Sequence, residues 1–114
     1  MNDNQLNRKQ VLIVEDEAII AMSTADTLSS MGYEVVGIAG SGEKAIELAD
    51  SLKPDLVLMD IRLNGNLDGI TTASIIQNKI EIPIVFVSAH LDQKRLKNTK
   101  LSGRYLSIKK PIDE

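Results

Sequence analysis

The chain predicts an α/β domain: a parallel β-sheet with right-handed crossovers and helices packed on both faces. Two observations lead there. Short apolar runs alternate with segments of helical periodicity, in the order β-α-β-α-β-α-β-α-β. Two of those runs, Val11-Leu12-Ile13-Val14 and Leu56-Val57-Leu58-Met59, end on carboxylates, at Glu15-Asp16-Glu17 and at Asp60. In parallel sheets the ligand site lies beyond the carboxyl ends of the strands. The acids therefore fall on the edge where chemistry is expected.

The elements follow in order. Val11 to Val14 is a short β-rich run. Glu17 to Met31 places Ile20, Thr24, Leu28 and Met31 at helical spacing, and Gly32 stops it. Tyr33 to Ala39 reads as a second strand. Ser41 can cap a helix carrying Ala45, Ile46, Ala49 and Leu52, which ends before Pro54. Asp55 to Asp60 is the third strand. A loop rich in Asn and Gly runs from Arg62 to Leu67, and Asp68 can cap a helix reaching about Asn78. Pro83 opens a fourth strand, Ile84 to Ser88, where a first-position proline is tolerated. Leu91 to about Lys100 is a weakly periodic helix. Tyr105 to Lys109 is a fifth strand, whose alternation suits a sheet edge. Residues 10–114 form one domain, and residues 1–9 are expected to be a disordered tail.

Composition narrows the function. At 114 residues and 43% apolar content the chain can fill one core, and with only Tyr33, Phe86 and Tyr105 as aromatics that core is aliphatic. A net charge of -3 gives no reason to expect nucleic acid. There is no cysteine, hence no disulfide and no thiolate site. No apolar run approaches the ~18 residues of a membrane span, and the polar start has no signal-like core. A cytoplasmic location is expected, with no membrane partner. Lys94, Arg95, Lys97, Lys100, Arg104, Lys109 and Lys110 lie in one stretch without an acid. That stretch is either a solvated basic helix face or a docking surface for an acidic partner.

Carboxylates at the ends of two strands can share a divalent cation and present a nucleophile. A carboxylate can attack a phosphoryl group to form an acyl phosphate, provided charge on the equatorial oxygens is neutralised. Magnesium takes about six oxygens and often uses only one or two carboxylates. Asp16 and Asp60 are the natural direct ligands, and Glu15 can hold a bound water. One of Lys109 or Lys110 can supply a cation to the phosphate, and Ser88 ends the fourth strand with a hydroxyl. Each has a plainer role when taken singly. Glu15-Asp16-Glu17 can cap the first helix, Asp60 can cap a turn, and Ser88 can be an ordinary strand-end hydroxyl. Together, all at strand ends, they point to a site.

Val11 to Glu17, Pro54 to Asp60, Asp68-Gly69, Ser88-Ala89-His90 and Lys110-Pro111 resemble the receiver domain of two-component response regulators, over about residues 10 to 114. The resemblance implies a doubly wound, flavodoxin-like five-stranded sheet of order 2-1-3-4-5. It implies phosphorylation of Asp60 by a phosphohistidine on a sensor histidine kinase or phosphotransfer protein. The metal would be Mg2+, with Mn2+ as a substitute, held by Glu15, Asp16, Asp60 and the backbone carbonyl of Arg62. Ser88 matches the family's switch hydroxyl and Lys110 its lysine before proline, where a cis bond is accessible. A downstream protein, or an output or sensor domain, would read the switch.

Three departures stand out. The loop after Asp60 lacks the usual Met-Pro and is one residue longer. Ser107 occupies the position of the usual aromatic, with Tyr105 two residues earlier on the same strand face, so Tyr105 is a candidate substitute. The chain reaches only Ile112-Asp113-Glu114, so the family's fifth helix is expected to be missing or truncated. That would leave the sheet face near the first helix for an interface or a further segment. Arg62 and His90 flank the pocket and are candidates to tune the phosphate's lifetime. Two other classes compete. An Mg2+-dependent aspartyl-phosphate hydrolase would want an acid two residues after Asp60, where Arg62 stands. An unphosphorylated receiver-like binding module would have no need of the Asp16, Asp60, Ser88 and Lys110 set.

Overall fold

In a computed structural model, residues 8–63, 65–88 and 105–109 are described, with the backbone alone for Ser88 and for 105–109. The elements are β1 Gln10–Val14, α1 Ala18–Ser30, β2 Glu34–Ala39, α2 Gly42–Leu52, β3 Leu56–Asp60, α3 Gly69–Lys79, β4 Ile84–Ser88 and β5 Tyr105–Lys109. The five strands form one parallel sheet of order β2-β1-β3-β4-β5. This is the doubly wound order expected, with β5 at an edge. The Leu91 to Lys100 helix, the rest of the basic stretch and the region for a fifth helix lie outside the described residues.

Strand alternation sorts the core into two layers. Leu12, Val14, Val57, Met59, Ile84 and Phe86 pack with Ala45 and Ala49 of α2 and with Ile70, Ala73 and Ile76 of α3. Val11, Ile13, Leu58 and Val87 pack on the other side with Leu28 and Ala25 of α1.

Each helix begins and ends for an identifiable reason. Ser41 Oγ accepts from Lys44 N at 3.2 Å and Asp68 Oδ1 from Thr71 N at 2.7 Å, so both predicted caps form. α1 starts differently: Glu17 is the N-cap residue but makes no side-chain cap bond. Its own N–H donates to Glu15 Oε2 at 3.2 Å. At the other end Gly32, at φ +95, lets its N–H reach Ser29 O while Tyr33 N reaches Leu28 O at 3.0 Å. This is a Schellman closure, and it needs a residue free of a Cβ penalty at Gly32. It also explains why β2 begins at Glu34 and not at Tyr33: the Tyr33 N–H is spent on the helix. Met31, expected on the core face, is instead the C-cap residue and 49% exposed. Its position follows the helix's closing turn, where the periodicity no longer applies.

Register aligns the strand ends. Val14 pairs with Ala39 on one side and Met59 on the other, Asp60 pairs with Val87, and Ser88 pairs with Lys109. A shift between Val11 and Leu12 leaves Val36 as an extra residue in β2, a bulge of the kind common on edge strands.

Candidate functional site

The same alternation that builds the core places the acids. Val11 and Ile13 face α1, so the next residue of that parity, Glu15, falls on the α1 side beyond the end of β1. Leu56 and Leu58 face α1, and Asp60 follows on the same side. The two backbones stay in register to this point: Glu15 N donates to Ala39 O at 2.9 Å, and Ile61 N to Val87 O at 3.2 Å. Pairing therefore reaches Glu15 and continues past Asp60, so the positions of both are set by the ladder and not by a free loop.

Glu15 and Asp60 are buried, at 5% and 7% exposure, while Asp16 is half-buried. One carboxylate oxygen from each of Glu15, Asp16 and Asp60 can be chosen so that all three lie within 4.8 Å of one another. Like charges about 4 Å apart cost about 1 kcal/mol per pair in water and about 4 at intermediate dielectric. A cation among them would reverse that sign. Opposite oxygens around Mg2+ lie about 4.1 Å apart, from its ~2.05 Å bond length, so small side-chain movements would close the set. The all-oxygen donors suit a hard divalent ion.

Backbone N–H groups orient two of the acids. Asp60 Oδ1 accepts from Arg62 N at 3.1 Å, and Glu15 Oε2 accepts from Glu17 N. Both are bonds to the residue two places on; the one at Asp60 is the local turn that short acidic side chains favour. The plainer roles weighed for these acids are thus partly met, without dispersing the cluster. The Arg62 backbone is adjacent, and its side chain is exposed.

A shallow cleft opens beside the acids, lined by Ile13, Val14, Glu15, Thr24, Leu58, Asp60 and Val87. Thr24 was expected only as part of the α1 core face. It also reaches this cleft, a position that becomes legible only once α1 is docked on β1 and β3. The Ser88 backbone ends β4 beside Lys109. The Ser88 side chain, His90 and Lys110 lie outside the described residues. Among the described residues no helix is long and apolar enough to cross a membrane.

Comparison with known proteins agrees with this architecture. The chain is 43% identical over 104 residues to the transcriptional regulatory protein PdtaR of Mycobacterium tuberculosis, covering 91% of this chain and 50% of that protein. It thus spans about half the length of that curated relative. The signal receiver domain of a modulated diguanylate cyclase from Desulfovibrio desulfuricans G20 superposes with a TM-score of 0.79 at 37% identity, over 94% of this chain and 85% of that one. A chain of the CheX–CheY–BeF3–Mg2+ complex from Borrelia burgdorferi superposes with a TM-score of 0.84 at 25% identity, over 99% and 86%. The "Response regulator receiver domain" family matches residues 11–114. A match that begins at the first buried residue of β1 and takes in both carboxylate-ending strands leaves one assignment: the chain belongs to the response regulator receiver domains, the phosphoacceptors of two-component signalling.

Proposed function

We propose that Asp60 is the phosphoacceptor and that Glu15, Asp16 and Asp60, with the Arg62 carbonyl, hold Mg2+, which Mn2+ can replace. The observation that supports this reading most is the convergence of the three carboxylates within 4.8 Å at the ends of β1 and β3. When bound, the ion supplies positive charge to the oxygens of the phosphoryl group. The similar chain from Borrelia comes from a complex containing BeF3 and Mg2+, in keeping with such a site.

A phosphohistidine on a sensor kinase or phosphotransfer protein is the donor. An Asp60 carboxylate oxygen forms a bond to phosphorus as the N–P bond breaks, and the electron pair returns to the imidazole nitrogen. The Arg62 N–H, already donating to Oδ1, keeps the carboxylate turned for attack. Ser88, the last residue of β4, and Lys110, matched by the family resemblance to the lysine before proline, donate to the remaining phosphoryl oxygens. Their movement toward the phosphate shifts the population of two conformations. A downstream protein or a linked output or sensor domain reads that shift. The domain occupies residues 10–114, and the protein works in the cytoplasm without direct contact with nucleic acid or membrane. It acts as a switch whose only chemistry is on its own aspartate.

Intact-mass measurement after incubation with acetyl phosphate or phosphoramidate tests this. A gain of one phosphoryl group that needs Mg2+ and disappears in Asp60→Asn is the expected result. A gain that persists in the folded variant, or no gain in folded wild type, contradicts it.

A further inference from the structure

The Asp68-Gly69 pair begins α3, and only Asp68 has a role so far, as the cap. Gly69 is buried, and its N–H donates to Ile61 O at 3.0 Å. A Cβ built on it would overlap the Asp60 carbonyl oxygen and lie 2.8 Å from both the Asp60 carbonyl carbon and Ile61 Cα. All three atoms are backbone, and they belong to the peptide unit that carries the acceptor carboxylate. Gly69 contrasts with Gly42, the first residue of α2, which is equally buried. There an added Cβ would meet the Thr72 hydroxyl and Leu67, 2.8 Å from Leu67 Cβ, so its three nearest atoms do not include Asp60.

We infer that Gly69 is the positioning residue for Asp60: the first turn of α3 rests its bare Cα directly on the Asp60-Ile61 peptide and thereby fixes the carboxylate against Glu15 and Asp16. Three contacts hold the backbone here. In the Asp60-Ile61 peptide, Ile61 N donates to Val87 O and the Gly69 Cα closes the side at the Asp60 carbonyl; in the following peptide, Ile61 O accepts from Gly69 N. Any side chain at position 69 must push the peptide back along β3 or lift α3 away. The first movement shifts Asp60 relative to acids on a different strand, and the second removes the Gly69 N–H bond that restrains Ile61 O. Sub-ångström placement is what metal geometry and in-line attack demand. The first turn of α3 is itself closed by Asp68, whose carboxylate accepts from Thr71 N and whose carbonyl accepts from Thr72 Oγ1 at 2.7 Å.

The inference rests on the phosphoacceptor reading for its consequence but is tested first by metal binding. The Mg2+ midpoint, followed by amide chemical shifts of Glu15, Asp16 and Asp60, is compared in wild type, Gly69→Ala and Ile76→Ala. Ile76, 1% exposed on α3, serves as a control that loosens the helix without touching Asp60. Gly69→Ala is expected to raise the midpoint at least tenfold. At saturating Mg2+ it is expected to slow phosphorylation by acetyl phosphate at least tenfold. Ile76→Ala should stay within twofold of wild type on both while losing thermal stability. A Gly69→Ala midpoint within threefold of wild type, or one matched by Ile76→Ala, overturns the inference. If Gly69→Ala does not fold, amide exchange in wild type decides. Linkage is reciprocal, so Mg2+ saturation should slow exchange of the Gly69 N–H at least threefold more than that of Ala45, which caps against Ser41 O; equal slowing overturns it. Wild type that binds no Mg2+ sinks this inference and the proposed function together. Mg2+ binding without phosphoryl gain sinks only the transfer.

Discussion

The face of the sheet under α2 and α3 is filled by Leu12, Met59, Val57, Ile84, Phe86 and Ile76, each at most 1% exposed. The described face under α1 carries a smaller cluster, in which Val11 and Ile13 are nearly closed. Leu28, Leu58 and Val87 remain 8%, 7% and 4% exposed, and α1 turns Ile19 and Met22 to solvent at 84% and 65%. The acids and their cleft lie on this second side. Among the described residues, the α2/α3 face holds the larger core cluster, and the acids lie at the strand ends on the α1 side. Strand alternation decides which face each residue serves, so Glu15 and Asp60 extend the same parity that packs Val11, Ile13 and Leu58 against α1.

Substitutions can break this division. The largest stability effect is expected for Phe86→Ala, about 3–5 kcal/mol as for other buried aromatics, measured by urea unfolding. A loss under 1 kcal/mol would show that the α2/α3 face does not carry the fold. Leu28→Ala on the α1 face should cost about 2 kcal/mol, the low end for a leucine; a loss larger than that of Phe86→Ala would reverse the comparison. Ser41→Ala should cost about 1 kcal/mol through the lost cap and leave the Mg2+ midpoint unchanged, because the Ser41 hydroxyl is engaged with the Lys44 N–H. Met22→Ser should shift stability by no more than about 0.5 kcal/mol, checked by thermal unfolding. A loss of 2 kcal/mol would mean that Met22 is covered in solution.

Much of this was legible in the sequence. Strand order followed from the family resemblance, and the caps at Ser41 and Asp68 followed from local chemistry that needs no partner. The acids were legible because strand ends and residue parity together place a side chain. Features that depend on distant contacts were not. Nothing near Gly69 announces that it rests on Asp60, nine residues earlier, because the approach is made by the folded loop. Thr24 looks like one more helical core position until β3 supplies the other wall of the cleft. The bulge at Val36 reflects pairing with β1, and a run such as Val35-Val36-Gly37-Ile38 does not reveal which residue will be extra. Met31 was misplaced because periodicity cannot locate the closing turn, which Gly32 and Tyr33 determine.

The most direct test of the central claim identifies the bond as well as the residue. After phosphorylation with Mg2+, treatment with hydroxylamine converts an acyl phosphate to a hydroxamate, which peptide mass mapping can locate. The expected result is a single hydroxamate at Asp60. A hydroxamate at Asp16 or Glu15, or a phosphoryl group on Ser88 that resists hydroxylamine, would contradict the assignment of Asp60 as the acceptor.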